Sequence, residues 1–599
     1  MLKKNTMRRL ACVLILLSLL SGLLGGCSRV SLLDLIDFGV YGEAEFDQLM
    51  DELFIEYVSS DSLMINYNLA DPGRFGIEMP DPPTFGEVTS AESIQRSNQE
   101  NQELREQLAG FRYGDLRVDQ QIVYDILERN LFLSEVTESN EDFSYYLGAF
   151  FPIAGVHVQL PVLLVEFRFY TVEDIEIYLR LLEDTRRYFN DLLEFERERS
   201  RRGFFMSDGS VDEVIAHCES FLENPEENIM IVVVNDKIDR YEGLTGAQRD
   251  EYKRRNRELV LGYVLPAYED LLRVMRELRG VGAHQGGLAS LPNGEYFSQA
   301  YLQHRTGTDI PPERMEIILI DAMSEMSAEI GMLMQRNPEL MEKFFNDELG
   351  QIRGETHLNY LKMLEAAIAR DFPPMRPAQY VVHEVHESMQ DFMSPAFYLI
   401  PALDHYEDNV IYVNPANDMD NIQLFTMLAH EGYPGHLYQT VYYLQQSPHP
   451  LRTVLYNLGY IEGWATYGEY QSYYLAGLNE AEASLARLAR LFDMLFITRI
   501  DLGVNALGWD LARVAAFCRQ YGIEGTEAAE EIFQLVIGYP LHFVPYTVGY
   551  LEMTSMREEA SAALGNAFDP LEFHRFILDF GPAPFPLIQR HLREWIREQ

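Results

Sequence analysis

A chain of 599 residues that is 47% hydrophobic and 12% aromatic can bury large cores, which excludes a mostly disordered protein. Its formal net charge of −45 repels nucleic-acid phosphates, so no nucleic-acid partner is expected. Neither figure identifies a substrate.

The first 26 residues read as an export signal. Lys3, Lys4, Arg8 and Arg9 precede the apolar run Leu10 to Leu20, and Leu24-Gly25-Gly26-Cys27 comes next, a lipobox by its resemblance to bacterial lipoprotein signals. Cleavage before Cys27 would leave a lipidated cysteine, with 27–42 as a tether holding the body at the cell membrane, facing outside the cytoplasm. No other stretch approaches the roughly 20 uninterrupted apolar residues that a bilayer span needs. Beyond Cys27 the only cysteines are Cys218 and Cys518, far apart in the chain. No disulfide framework holds this fold, and the sequence leaves open whether the two pair.

Helical periodicity dominates the remainder of the chain. Helices are readable near 43–58, 90–135, 245–280, 311–336 and 479–520. Ile175, Tyr178, Leu179 and Leu182 keep the i, i+3, i+4, i+7 rule, with Phe189, Leu192 and Leu193 extending the stripe. Three β-branched runs are strand candidates: 229–234, 380–385 and 409–414. The expectation is a mainly α protein with a small sheet beside a motif-bearing helix. The turn-rich segment 280–294 is the best boundary, dividing an N-terminal helical region, 43–285, from a region carrying the chemistry, 286–599.

The chemistry centres on His430-Glu431-Gly432-Tyr433-Pro434-Gly435-His436, which places two imidazoles and a carboxylate within one short run. In a common zinc peptidase helix, His-Glu-x-x-His puts both histidines one turn apart on one face. Here the second histidine comes two residues late, roughly 120° around an ideal helix from the first. A straight helix could not aim both at one ion. Pro434 withholds an amide hydrogen and Gly435 permits unusual backbone geometry, so a break there could swing His436 back. Downstream, Glu462, Thr466 and Glu469 share one face of a second helical stretch. Two neutral imidazoles and one carboxylate leave a fourth position for water, the pattern of a catalytic zinc site. Glu462 is the expected third ligand. Glu469 is either its replacement or an acceptor for a ligating imidazole. A second cluster, His383-Glu384-Val385-His386-Glu387, lies on a strand-like run that would point His383 and His386 to opposite faces, which makes it a decoy.

The two motifs together, His-Glu-x-x-Pro-Gly-His and then Glu462-Gly463-Trp464-Ala465-x-Tyr467-x-Glu469, resemble the bacterial domain of unknown function 885 family, placed among gluzincin-like metallopeptidases. Matching elements are Tyr296, His304-Arg305-Thr306-Gly307-Thr308, Asp501-Leu502-Gly503-Val504-Asn505 with Gly508-Trp509, Pro540, Pro545-Tyr546-Thr547-Val548-Gly549, Phe573-His574 and Gly581-Pro582. Two positions depart from the family's usual pattern: Leu437 stands where a further histidine often follows the motif, and Asn505 where histidine is common. Asn505 can donate a hydrogen bond but cannot carry a proton. The resemblance implies one zinc ion per chain on His430, His436 and Glu462, with Glu431 as general base and the Tyr546 hydroxyl as donor to the tetrahedral intermediate. It also makes Asn505, Asn414 and His304 candidates to support a ligand or touch the substrate, and the strand at 409–414 a candidate sheet edge for an extended peptide. The leading reading is a membrane-tethered zinc peptidase acting on peptide substrates. The alternatives are a metal-dependent hydrolase of another amide or C–N bond, and a non-catalytic peptide-binding lipoprotein.

Overall fold

A computed structural model describes residues 42–599, apart from 347, 388–389 and 391–392. The export signal, the lipobox with Cys27 and the tether up to residue 41 lie outside the described residues. Helices α1 (Glu43–Val58), α2 (Ala91–Ala109) and α3 (Val118–Glu138) open the N-terminal part. The helix expected over 90–135 is thus two, divided by Gly110 and the short turn Tyr113–Asp115. In α4 (Val172–Arg202) the anticipated stripe from Ile175 to Leu193 is buried throughout. Thr171 accepts the Asp174 amide at its start, arginines in the last turn oppose the negative end of the helix dipole, and Gly203 in the left-handed region ends it.

The run 229–234 is not a strand. It forms the first half of α5 (Ile229–Arg240), where the Asn228 side chain accepts the Met230 amide and Ile229, Met230, Ile231, Val234 and Ile238 are buried together. A short continuous apolar run carries no period of its own, and packing within the second core overrides β-branched propensity.

Helices α6 (Gly294–Thr306) and α7 (Pro312–Arg336) come later in the chain. Next is a three-stranded sheet of order β1-β3-β2, with β1 (Gln379–Glu384) parallel and β2 (Ala396–Leu399) antiparallel to β3 (Asp408–Val413). The strands at 380–385 and 409–414 therefore form nearly as expected, but β3 is central. Both its edges are paired, so it offers no edge to a peptide; β2 is the edge strand that faces the motif helix. That helix, α8 (Asn421–Glu431), is followed by α9 (His436–Gln445), α10 (Leu458–Ser472), α11 (Glu480–Ala506), α12 (Val544–Leu564) and α13 (Pro570–Phe580). The helix anticipated over 479–520 breaks after Ala506, where Gly508 adopts φ 68°.

The largest apolar core surrounds α8 to α13. The second joins α4 and α5 to Phe397 of β2, and the third joins α1 and α3 to Leu451 and Val454. Cys218 and Cys518 are both buried and unpaired with each other. No helix among the described residues is long and apolar enough to cross a membrane.

Candidate metal centre

Helix α8 begins at Asp420, whose side chain accepts the Gln423 amide, and its last two residues are His430 and Glu431. The chain then leaves the helix, and His436 is the first residue of α9. The late spacing of the second histidine is thus accommodated by a true break between two helices. Gly435 is required there. A Cβ on it would stand 1.7 Å from the His430 carbonyl oxygen and 2.6 Å from that of Ala429, whose oxygen accepts the Gly435 amide at 2.9 Å. Helix α10 pins the break from outside, with Trp464 Nε1 donating to the Pro434 carbonyl at 2.8 Å.

This bend brings the imidazoles together. Ligand atoms of His430, His436 and Glu462 all lie within 4.8 Å of one another, a spacing at which one metal ion can touch all three. Glu462 Oε2 is 3.6 Å from His430 Nε2 and 3.4 Å from His436 Nε2, and the two rings stand at 82°. All three side chains are buried, and none of these three atoms has a hydrogen-bond partner. Glu469 lies behind the ligands, its Oε2 3.2 Å from His430 Nδ1 and its Oε1 accepting Arg490 Nε at 3.0 Å. Glu431 Oε2 accepts the Tyr398 amide of β2 at 2.9 Å, while its Oε1 is buried without a partner.

Glu462 and Tyr546 meet because α10 and α12 cross almost backbone to backbone. A Cβ on Gly463 would meet Gly549 Cα at 2.5 Å, and one on Gly549 would meet the Gly459 carbonyl oxygen at 2.1 Å. The Tyr546 phenol stands beside Glu462 and interacts with it electrostatically. Burial, and then the Glu462 charge, pushes that phenol far above its ordinary pKa, so it remains a donor.

The cluster is electrostatically set for a cation. Burial pulls the His430 imidazole down, but the carboxylates of Glu462, Glu469 and Glu431 together outweigh it and hold its pKa up at about 10. Burial likewise pushes Glu462 up, and His436 and His430 overcome it, leaving it at about 2. Burial pushes Glu469 up, and Arg490 and His430 outweigh it, leaving its pKa below the ordinary value. Glu431 is raised, chiefly by burial, with the two imidazoles opposing. A metal ion on the two imidazoles would take the place of their protons, and it would meet the carboxylates of Glu431, Glu462 and Glu469, of which Glu469 is paired with Arg490. That excess of negative charge is what a dication neutralises.

The other candidates take different places. Asn505 is committed elsewhere: its Oδ1 accepts the Leu288 amide, and its Nδ2 donates to Asp501 Oδ1 and the Val536 carbonyl, so it braces packing instead of facing a substrate. Asn414 closes a loop by donating to the Gln390 and Met393 carbonyls and accepting the Ala416 amide. His304 lines a large cavity, its pKa lowered to about 4 by burial and then by Arg305 and Arg129. His383, at the decoy, is exposed on β1. Arg490 escapes sequence reasoning, and Asp501, which lies in one of the matching elements, has no role there until the structure supplies it. Asp501 bonds Asn505 one helical turn on and accepts the Leu541 and Phe543 amides ahead of α12, and no spacing rule ties it to those two amides or Arg490 to Glu469.

The fold is similar to that of a candidate lipoprotein from Colwellia psychrerythraea, with 20% identity and a TM-score of 0.79 over 92% of this chain and 100% of that one. It is also similar to a candidate lipoprotein of unknown function from Shewanella oneidensis, with 15% identity and a TM-score of 0.61 over 92% and 99% of the two chains. At these identities the likeness is one of fold. No curated protein matches the chain. Residues 84–592 match the bacterial proteins of unknown function grouped as DUF885, and the chain belongs to that family.

Proposed function

We propose that this protein is a zinc-dependent, gluzincin-like hydrolase that cleaves peptide bonds outside the cytoplasm. The observation that carries the reading is the convergence of His430, His436 and Glu462 with Glu431 beside them. Zinc bonded at ~2.0–2.1 Å in a tetrahedral site separates its ligands by roughly 3.3–3.4 Å. The N–O separations of 3.4 and 3.6 Å fit that figure. Three protein ligands of imidazole and carboxylate type match catalytic sites, which keep a position for water, and Glu469 on His430 Nδ1 matches the outer support such ligands need.

A zinc ion held there would acidify water and polarise the substrate carbonyl. The residues of the chain do the rest. Glu431, with one oxygen fixed by the Tyr398 amide, has its buried Oε1 available to take the proton of the attacking water and deliver it to the departing amine. The Tyr546 hydroxyl, beside Glu462, supplies a hydrogen bond to the carbonyl oxygen as negative charge builds on it. A cavity of about 2490 Å³ includes Tyr398 in its wall, so it reaches the strand that holds Glu431. That is larger than the ~300–1,000 Å³ of a small-ligand site and suits an oligopeptide. The lipobox, together with the fold neighbours described as candidate lipoproteins, supports anchoring through a lipid on Cys27.

The test is a mixed-peptide digest read by mass spectrometry, paired with metal analysis. The parent protein should hold about one zinc per chain and cleave peptides. His430→Ala should lose the metal, and Glu431→Gln should keep it without turnover. A zinc-supplied protein that binds no metal, or variants that cleave like the parent, would overturn the reading.

A further inference from the structure

Among the described residues, Arg305 is a buried cation without a counter-ion. It stands in the last turn of α6, is 5% exposed, and neither its Nε nor its Nη2 has a hydrogen-bond partner. Among the described residues, the buried Arg199 bonds Glu196 and donates to three carbonyls, and the buried Arg452 donates to the Phe580 carbonyl and the Tyr443 hydroxyl, so each has more of its donors occupied than Arg305. The phenols of Tyr301, Tyr539 and Tyr546 interact with Arg305 electrostatically, Tyr539 also by a hydrogen-bond contact, and the Arg305 Cζ is 5.7 Å from the Tyr539 ring centre, so Nε and Nη2 are the donors left over. Asp501 attracts it from a distance, but that carboxylate already accepts the Leu541 and Phe543 amides and Asn505 Nδ2. No acid among the described residues forms an ion pair with Arg305.

The position of this cation matters. Arg305, Tyr301, Tyr539 and Tyr398 line the same large cavity. Tyr398 holds Glu431 through its amide, and the Tyr546 phenol interacts electrostatically with both Arg305 and Glu462. The free guanidinium edge therefore belongs to a cavity whose wall also includes Tyr398, on the strand that holds Glu431. A buried charge without a partner is costly, and a planar fork of N–H donors matches a carboxylate with two parallel hydrogen bonds. In a chain of formal charge −45, an acidic ligand needs such a local cation to be held at all.

We propose that Arg305 binds a carboxylate of the substrate, making this a hydrolase of short peptides that carry a carboxylate close to the bond cleaved. The proposal rests on the peptidase reading of the metal centre. Two sources supply the same chemistry: the free C-terminus of the peptide, or an acidic side chain.

The full chain, carrying Glu431→Gln so that no probe is consumed, is titrated by calorimetry with Ala-Ala-Phe, with its C-terminal amide, and with the amide of Ala-Ala-Glu. Binding of Ala-Ala-Phe about tenfold or more tighter than its amide, the scale of a charge-assisted pair, supports a C-terminal carboxylate. The same advantage for the Ala-Ala-Glu amide supports a side-chain carboxylate. Arg305→Gln should erase the preference and Arg305→Lys should retain part of it, in variants whose thermal unfolding matches the parent. If Arg305→Gln does not fold, the acid-to-amide comparison and Arg305→Lys decide. Equal binding of acids and amides, no binding of any probe, or a preference that survives in a folded Arg305→Gln protein would overturn the proposal. Because this readout is binding, its failure is separable from failure of the parent protein to cleave peptides.

Discussion

Gly435→Ala tests whether the break between α8 and α9 is what assembles the metal cluster. The added Cβ would lie 1.7 Å from the His430 carbonyl oxygen and 2.4 Å from its carbon, where real Cβ contacts hardly ever fall below 3.0 Å. Both obstacles are main-chain atoms, so no side chain can swing aside. The backbone must open by more than an ångström, weakening the bonds from Gly435 N to Ala429 O and from Tyr438 N to Gly432 O. Overpacking of this kind costs about 1–3 kcal/mol of stability. The larger effect falls on the metal, because ligand distances are held within about 0.2 Å and the displaced segment ends at His436. Zinc affinity should fall by at least about 10–100-fold, the loss seen when only the support of a ligand is disturbed. Competition against a chelator of known affinity measures this, with thermal unfolding recorded in parallel. A Gly435→Ala protein with zinc affinity and turnover within twofold of the parent would refute the reasoning.

Three further outcomes are expected. Glu469→Gln should weaken zinc binding by about 10–100-fold and lower the melting temperature even without metal, because Arg490 loses its buried partner; chelator competition and calorimetry check the two parts. Tyr546→Phe should keep zinc but reduce kcat by roughly 10²-fold, read from peptide turnover against metal content. His574, lowered to about 4 by burial and enclosed by Tyr467 and the Asp371 carbonyl, refuses a proton that the unfolded chain accepts near its ordinary 6.5. Its contribution is present above that value and is lost as pH falls towards 4. Urea unfolding across this range should therefore show stability rising with pH, and His574→Phe should flatten the slope by about one proton.

How much the sequence disclosed depends on how far apart the cooperating residues lie. His430, Glu431 and His436 fall within one motif, and Glu462 and Glu469 within the next, so spacing rules reached all five. The need for a bend was legible because a Pro-Gly pair stood where a straight helix would fail. Arg490 was not legible, and Arg305 was visible only as part of a matching element, since the surroundings of both come from segments that meet only in the fold. Asn414 and Asn505 looked available because they flank motifs, yet backbone groups of other segments take up their side chains. The run at 229–234 carried β-branched residues in a block too short to reveal a period, and the order of the sheet has no trace in the order of its strands.

The glycine contact between α10 and α12 has a consequence for how this protein can change. Glu462 and Tyr546 ride on helices that touch through main chain, so their separation depends little on the side chains packed elsewhere in the core. The cavity wall, by contrast, is contributed largely by α1 to α4, by α6 and by connecting segments, and by no residue of α10 or α12. Substitutions in the wall can alter which molecules the cavity admits while Glu462 and Tyr546 stay in register, so the fold keeps a fixed frame beside an adaptable vestibule.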